Sequence, residues 1–150
     1  MGKTALMLNL ALHAATKHEG GAKRTLFFTY EMSKEELADR INASLAGVSM
    51  AAMQRGEVTD ADLHKLATAV DNSEDMSLYI DESPADTVAQ IRAKAISHKM
   101  LHGLDFILID YLQLIPPPSN LARGATRENE VSANSRALKM LAKELDVPVG

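Results

Sequence analysis

Cysteine, long apolar runs and an N-terminal export signal are all missing from this sequence of 150 residues. The lack of cysteine excludes disulfide bonds and thiolate metal sites, and it is compatible with a cytoplasmic protein. No apolar run approaches the roughly 18 residues of a membrane-spanning helix. Met1 to Thr4 lead directly into an apolar segment without a cleavage site, so no secretory signal is expected. We therefore expect no membrane partner.

The overall composition is that of an ordinary globular domain. Hydrophobic residues make up 46% and charged residues 24% of the chain, and its length is sufficient for one domain with a single core. The net charge of −4 argues mildly against a nucleic-acid partner, because a surface that binds phosphates usually makes its domain basic. Composition alone indicates no particular function.

Apolar residues alternate between helical and extended patterns along the chain. Residues 4–18 predict a helix that is apolar on almost every side, which is typical of a buried helix. Apolar runs at 24–30, 78–80 and 106–109 predict strands, and the unbroken last run is typical of a central parallel strand. With helices between and after these runs, the pattern predicts an α/β fold with a parallel sheet and helices on both faces.

Capping residues mark several helix starts. Ser33 and Glu36 have the spacing of a capping box, which predicts a helix through about residue 45. Two short helices are predicted within 47–75, the second capped by Thr59. Ser83-Pro84 predicts a further start, because serine is a good cap and proline fits the first helical position.

Gly2-Lys3-Thr4, directly before the first helix, matches the back half of a phosphate loop, G-x-x-x-x-G-K-S/T. In such a loop, backbone N–H groups hold the phosphates, the lysine reaches the β- and γ-phosphates, and the threonine hydroxyl binds Mg²⁺. Only part of the motif is present, so an ordinary polar N-terminus is the alternative.

Two acidic residues follow apolar strands. Asp110 comes after 106–109, and the carboxyl end of a central strand is where ligands bind in open α/β sheets, so it could hold a nucleotide's Mg²⁺. The alternative is an aspartate that caps the next turn. Glu31 follows 24–30 and should lie on the same edge, where a carboxylate could orient and deprotonate a water. It could equally be an acidic residue favoured near a helix start.

Asp81-Glu82 is a rival acidic pair, since several ATPase classes place a metal ligand and a base side by side after a strand. The strand before it is short, and Ser83-Pro84 explains the acids as the entry to a helix. We therefore favour a structural role for the pair. His98 and His102 have helical spacing for a metal pair but no evident third ligand, so we interpret them as a solvated helix end.

Three consecutive prolines, Pro116 to Pro118, begin an irregular loop over 116–127. The loop carries Arg123, Gly124 and Arg127, and arginines on a loop can bind phosphates without reading sequence. Acidic residues follow closely, so an ordinary solvated loop is the alternative. A last helix is predicted beyond it, and then the opening of another strand at 147–149.

Taken together, these segments resemble the motor domain of DnaB-type replicative helicases in order and spacing over essentially all 150 residues. The stretch D-Y-L-Q-L followed by L-K-x-L-A-K-E-L is quite specific to that family. The matching segments are Met1-Gly2-Lys3-Thr4-Ala5, Phe28-Thr29-Tyr30-Glu31-Met32, Ile109-Asp110-Tyr111-Leu112-Gln113-Leu114, Ser135-Arg136-Ala137-Leu138-Lys139, the run 141–145, and Val147-Pro148-Val149.

The resemblance implies a RecA-like P-loop NTPase fold that hydrolyses ATP with Mg²⁺. It implies Lys3 on the phosphates, Mg²⁺ held through Thr4 and Asp110, and Glu31 as the base that activates water. The nucleotide-binding residues implied by the match are Met1, Gly2, Lys3, Thr4, Ala5 and Asp110.

For the parent protein, the resemblance implies a homo-hexameric ring that unwinds duplex DNA at the replication fork. Single-stranded DNA would pass through the ring and contact Arg123, Gly124 and Arg127, and a primase and a helicase loader are the expected partners. A recombinase-like or clock-type ATPase of the same superfamily is one alternative, against which D-Y-L-Q-L argues. A DNA-binding module without enzymatic activity is another, against which the joint presence of Lys3, Thr4, Glu31 and Asp110 argues.

The family pattern extends beyond both ends of the sequence. The first strand and the front half of the phosphate loop would precede Met1, while the γ-phosphate sensor, a second DNA loop and the arginine finger would follow Gly150. We therefore expect a partial motor domain over 1–150, from the end of the Walker A motif to the strand after the Walker B helix. Such a fragment, truncated at both ends, is expected to be inactive by itself.

Overall fold

The computed structural model of the chain describes residues 2–16, 21–73, 76–83, 86–118 and 126–150. It contains six α-helices and three strands within these ranges. In chain order they are α1 (Lys3–Ala15), β1 (Thr25–Thr29), α2 (Lys34–Ala46), α3 (Met50–Arg55), α4 (Asp60–Ser73), β2 (Leu78–Asp81), α5 (Val88–His102), β3 (Phe106–Asp110) and α6 (Arg127–Leu145). None of the helices in the described ranges is long and apolar enough to cross a membrane.

The three strands form one parallel sheet in the order β2-β1-β3. The central strand is therefore β1, and β3 gains a further parallel neighbour at the chain's end through the pairing of Ile107 with Val149. The prediction of a parallel sheet is confirmed, and the segment 147–149, predicted to open a strand, forms an isolated parallel bridge. The three strands end at the same edge of the sheet, which we call the carboxyl edge. Their last residues are Thr29, Asp81 and Asp110.

Each face of the sheet is covered by a pair of helices. Phe27 and Leu108 point to the face packed by α1 and α2, whereas Phe28 and Ile107 point to the face packed by α5 and α6. Neighbouring strand residues point to opposite faces, so an unbroken apolar run supplies both layers of the core. The predicted helices on both faces are confirmed.

The prediction of a fully buried first helix is wrong. One side of α1 packs on the sheet through Leu8 and Leu12, but Leu6 is 61% and Leu10 is 45% exposed. The helix also ends at Ala15 rather than at residue 18. Apolar residues all around a helix establish that it is hydrophobic, but the neighbours present in the chain decide which side is covered.

Most of the helices are capped at their amino ends by a side chain. The capping box of Ser33 and Glu36 is present at α2, and Thr59 accepts a hydrogen bond from the backbone N–H of Asp62 at α4. The predicted start at Ser83-Pro84 is wrong, since α5 begins at Val88 after a capping box formed by Thr87 and Gln90. Thr87 is also a good capping residue and lies four residues after Ser83, so the cap type alone does not locate the start of this helix.

An ion pair joins the amino ends of β1 and β3. Arg24 donates from Nε to Asp105 at 2.7 Å and from its backbone N–H at 2.9 Å, and these contacts lower the pKa of Asp105 to about 2. Gly103 ends α5 beside this pair with φ 76° and ψ 164°. A Cβ atom at Gly103 would lie 1.9 Å from Nη1 of Arg24.

Replacing Gly103 by alanine should lower the free energy of unfolding by about 1–3 kcal/mol, because only glycine adopts this backbone conformation readily. The new methyl group should also displace the guanidinium of Arg24. Urea denaturation measures the loss. Arg24→Ala removes the exposed ion pair without straining the backbone and should cost clearly less than Gly103→Ala. Equal losses in the two variants would contradict the backbone explanation.

Candidate functional site

Asp110 and Glu31 lie at the carboxyl edge of neighbouring strands, as predicted. Thr29 pairs with Asp110 in the sheet register, and the backbone N–H of Tyr30 donates to the carbonyl oxygen of Asp110 at 3.0 Å. Glu31 is two residues beyond the end of β1, so the chain leaves the sheet beside Asp110 before it reaches Glu31. The sheet therefore brings the two carboxylate-bearing residues to the same edge.

The carboxylate of Asp110 is buried and unpartnered. The residue is 1% exposed, and neither carboxylate oxygen has a hydrogen-bond partner within the described part of the chain. Leaving a buried charge without a partner is costly, so such groups are uncommon outside functional sites. A buried carboxylate that lacks protein donors can serve as an oxygen ligand for a cation.

Few protein ligands surround that carboxylate. The described residues contain no group of three or more histidine, cysteine or acidic side chains placed to hold a metal ion. This fits Mg²⁺, which is usually bound through one or two carboxylates together with phosphate and water oxygens.

Glu31 is exposed on a turn whose backbone is held on both sides. On the near side, the backbone N–H of Tyr30 donates to the carbonyl oxygen of Asp110 at 3.0 Å. Directly after Glu31, the backbone N–H of Met32 donates to the hydroxyl of Thr29 at 3.4 Å. On the far side, the backbone N–H of Lys34 donates to Glu82 at 2.8 Å. The backbone is thus fixed while the carboxylate of Glu31 stays accessible, which suits a group that must reach a bound molecule.

The amino end of α1 is open to an anion. Gly2 precedes it with φ 103°, no side chain of the described residues caps it, and no acidic residue lies in its first turn. The first backbone N–H groups of a helix have no partner within the helix, and its dipole favours negative charge there. Lys3, Thr4 and Ala5 form this first turn. Met1 lies outside the described residues.

Lys3 and Asp110 belong to the same part of the molecule. The ammonium nitrogen of Lys3 lies 3.8 Å from the centroid of the Tyr111 ring, and Tyr111 directly follows Asp110 through a cis peptide bond. This contact places the start of α1 beside the end of β3. In the sequence, Tyr111 is part of the family motif D-Y-L-Q-L, but no role was predicted for it. Its position directly after a strand-ending aspartate was the available signal.

The carboxylates of Asp81 and Glu82 are both bound to other groups of the protein. Asp81 forms an ion pair with Lys94 at 3.1 Å and accepts from the backbone N–H of Ser83. Burial raises the pKa of Asp81, but the hydrogen bonds from Ser83 and Lys94 outweigh it and the net shift is downward. Glu82 pairs with Lys34 at 3.1 Å. The structural interpretation of this pair agrees with these contacts, although helix entry was the wrong reason for it.

Lys94 joins two segments next to the carboxyl edge. It bridges Asp81 and the buried Asp86, whose carboxylate lies 2.5 Å from the ammonium nitrogen. The hydroxyl of Tyr30 is buried nearby without a partner in the described residues. Burial, together with the charges of Asp86 and Asp81, raises the pKa of Tyr30 well above its usual value. This cluster was not predictable from residue spacing, because Tyr30 is far from Asp81, Asp86 and Lys94 in the chain.

The two histidines of α5 pack together with Tyr79 of β2. The ring centroids of His98 and Tyr79 are 4.3 Å apart, and those of His102 and Tyr79 are 5.3 Å apart. Burial and the neighbouring His102 lower the pKa of His98. The expected solvated helix end is therefore wrong for His98, which covers the edge strand of the sheet.

Arg127 lies at the first position of α6, not in the loop before it. Its Nη1 donates to Glu130 at 3.0 Å, and its Nη2 donates to the carbonyl oxygen of Gln113. Gln113 belongs to a 3₁₀ turn, Leu112–Leu114, that follows Tyr111. Arg123 and Gly124, the other two predicted DNA contacts, lie outside the described residues.

The fold and the placement of these residues define a RecA-like P-loop NTPase domain: a parallel sheet between helical layers, with a free helix start and an aspartate at its carboxyl edge. The sequence model described as "DnaB-like helicase C terminal domain" matches residues 1–149. The chain belongs to this family of DnaB-like helicase C-terminal domains.

Curated relatives agree with this membership. The chain is 42% identical over 149 residues to "Replicative DNA helicase DnaB" of Leifsonia xyli subsp. xyli, covering 99% of the chain and 31% of that protein. It is 39% identical over 152 residues to the protein of the same name from Geobacillus stearothermophilus, covering 99% of the chain and 32% of that protein. The chain thus spans about a third of the length of these relatives.

Two solved structures have the same fold. One is described as "The Structure Of A DnaB-Like Replicative Helicase And Its Interactions With Primase", and the other is described as an ATPase domain. Each is 28% identical with a TM-score of 0.86 over 99% of the chain, and the matches cover 35% and 51% of those two chains. The agreement extends over the whole sheet and its helices.

Proposed function

We propose that this chain is the nucleotide-hydrolysing part of a replicative DNA helicase and works within a longer polypeptide. The observation that carries the proposal is the buried carboxylate of Asp110, which lacks a hydrogen-bond partner among the described residues. It directly precedes Tyr111, whose ring contacts Lys3 at the start of α1. Family membership supports the same function, since the relatives are named replicative DNA helicases.

Within this proposal, the residues at the carboxyl edge bind and orient ATP. Bound Mg²⁺ supplies charge neutralisation for the phosphates. Thr4 and Asp110 would hold the metal, since a hydroxyl and a carboxylate supply the hard oxygen ligands that Mg²⁺ prefers. The backbone N–H groups at the start of α1 bind phosphate oxygens, and Lys3 adds a positive charge. Met1, Gly2 and Ala5 complete the proposed contact segment.

Glu31 is the proposed general base. Its carboxylate is exposed at the same edge as Asp110 and can accept a proton from a water molecule that attacks the terminal phosphate. The attack forms a phosphorus–oxygen bond from water and breaks the bond to the leaving diphosphate. The backbone bonds on either side of Glu31 limit its movement, which favours a defined position for this water.

The assembly that we propose is a cytoplasmic homo-hexamer on single-stranded DNA. A primase is a proposed partner because one related structure is described by its interactions with primase. A helicase loader is proposed from the resemblance to the family. Two alternatives make different predictions. A recombinase-like or clock-type ATPase would hydrolyse ATP without unwinding DNA, and a DNA-binding module without enzymatic activity would not hydrolyse ATP.

The proposed function is tested by unwinding of a forked DNA duplex by the full-length protein that contains this chain. Unwinding should require ATP and Mg²⁺, and Lys3→Ala should abolish it together with nucleotide binding. ATP hydrolysis without unwinding would favour the recombinase-like or clock-type alternative. DNA binding without hydrolysis would favour the non-enzymatic module.

The proposed DNA contact of the loop leads to a prediction about salt. In the full-length protein, Arg123→Ala with Arg127→Ala should weaken binding to single-stranded DNA of any sequence. The salt dependence of the affinity should also become shallower, by up to about 0.7 per lost phosphate contact. Fluorescence anisotropy at several salt concentrations measures both effects.

The two arginines should differ as single variants. The guanidinium of Arg127 already has two protein partners, so Arg127→Ala alone should change the slope less than Arg123→Ala. An unchanged slope in the double variant would contradict the proposed DNA contact and support an ordinary solvated loop.

A further inference from the structure

We propose that Tyr111 is a positioning residue for Lys3: its ring holds the ammonium group away from the carboxylate of Asp110, so that both stay available to a nucleotide. This inference rests on the proposed function. It starts from the contact of Lys3 with the face of the Tyr111 ring, 3.8 Å from the centroid. The face of an aromatic ring carries partial negative charge and attracts cations.

The alternative partner for Lys3 is Asp110. Lys3 has a flexible side chain, and it already lies over the residue that adjoins Asp110. A buried carboxylate attracts an ammonium group more strongly than an aromatic ring does, because the surroundings screen the charge poorly. Yet both oxygens of Asp110 lack partners in the described residues. The ring therefore binds the ammonium group of Lys3, and the charge of the Asp110 carboxylate is not neutralised.

Local structure fixes Tyr111 in this place. It directly follows the last residue of β3, and its carbonyl oxygen accepts from the backbone N–H of Leu114 at 3.0 Å to close the 3₁₀ turn. The backbone of Tyr111 is thus fixed at the end of β3, and its ring lies against Lys3 at the start of α1. A phosphate group carries full negative charge and can draw the ammonium group from the ring, whereas a direct ion pair with Asp110 would have to be broken first.

Replacement of the ring should therefore weaken nucleotide binding. In Tyr111→Leu, we expect Lys3 to pair with Asp110, which stabilises the nucleotide-free protein and blocks both groups. In Tyr111→Phe, the ring face remains and the contact should persist. A residue that only fills space would be replaced by leucine and phenylalanine with similar effects on affinity.

The experiment uses the full-length protein that contains this chain, with a fluorescent ADP analogue and Mg²⁺ as the probe. Tyr111→Leu should raise the Kd by about fivefold or more, the size expected when one electrostatic contact competes with the ligand. Tyr111→Phe should stay within about twofold of the unsubstituted protein. Without nucleotide, Tyr111→Leu should unfold at a higher temperature than Tyr111→Phe, and adding Lys3→Met to both should remove that difference.

The outcomes separate this inference from the proposed function. Binding of the ADP analogue by the unsubstituted protein with an unchanged or lower Kd in Tyr111→Leu would overturn the positioning role alone. A difference in unfolding temperature that persists with Lys3→Met would overturn it too, because the effect would not involve Lys3. Failure of the unsubstituted protein to bind the analogue would overturn the proposed function and the positioning role together.

Discussion

Glu31→Gln should lower single-turnover ATP hydrolysis by about 10²–10⁴-fold in the full-length protein, the loss typical of removing a positioned base. Glutamine keeps the size of the side chain and most of its hydrogen bonding but cannot accept the proton. Nucleotide binding should stay within a few-fold of the unsubstituted protein, because Lys3, Thr4 and Asp110 are unchanged. Rapid-quench hydrolysis beside a binding titration measures the two quantities separately.

Glu82→Gln is the matched control. Glu82 lies at the same edge of the sheet, but it accepts from the backbone of Lys34 and pairs with its ammonium group, and these contacts lower the pKa of Glu82. Glutamine can still accept from that backbone N–H, so hydrolysis should stay within a few-fold of the unsubstituted protein. An inactive Glu82→Gln beside an active Glu31→Gln would show that the base has been assigned to the wrong residue.

Asp110→Asn should have opposite effects on stability and activity. Without nucleotide, the free energy of unfolding of the variant should be higher by on the order of 1 kcal/mol. The reason is that a neutral group of the same shape replaces a buried charge without partners. Mg²⁺-dependent hydrolysis should fall by about 10²-fold or more, since a metal ligand is lost. Thermal unfolding with and without Mg²⁺ and ADP, together with hydrolysis, tests both signs.

Asp81→Asn controls for the loss of an acidic group at this edge. Asp81 has a partner in Lys94, so its replacement should lower stability by about 1 kcal/mol instead of raising it. The additional stabilisation by Mg²⁺ and ADP should be retained. If Asp110→Asn proved less stable than the unsubstituted protein, the carboxylate would have an internal partner and the metal assignment would lose its main support.

The sequence was sufficient to predict the carboxyl edge. The unbroken run before Asp110 and the run before Glu31 indicated buried parallel strands, and parallel strands place their carboxyl ends together. That geometry needs only the order of elements and the apolar pattern. The capping box at α2 was equally local, because Ser33 and Glu36 are three residues apart.

The errors have physical causes of two kinds. The start of α5 was misplaced because Ser83 and Thr87 are both good caps, and the packing of Ile91 and Ala95 on the sheet decides between them. Contacts between distant segments were not predictable. The Lys94 cluster and the ring contact of Tyr111 depend on how helices lie against the sheet, which the spacing of residues does not encode.

The bond between Arg127 and the carbonyl of Gln113 ties together the two ends of the chain segment between them. Residues can be inserted or deleted between two anchored ends without shifting either end, because doubling the length of the connection costs only about 0.6 kcal/mol in closure entropy. Insertions and deletions in this part of the family should therefore leave β3 and α6 in place. Because of this anchor, the length of the proposed DNA-contacting loop can change between relatives without affecting the site at Asp110.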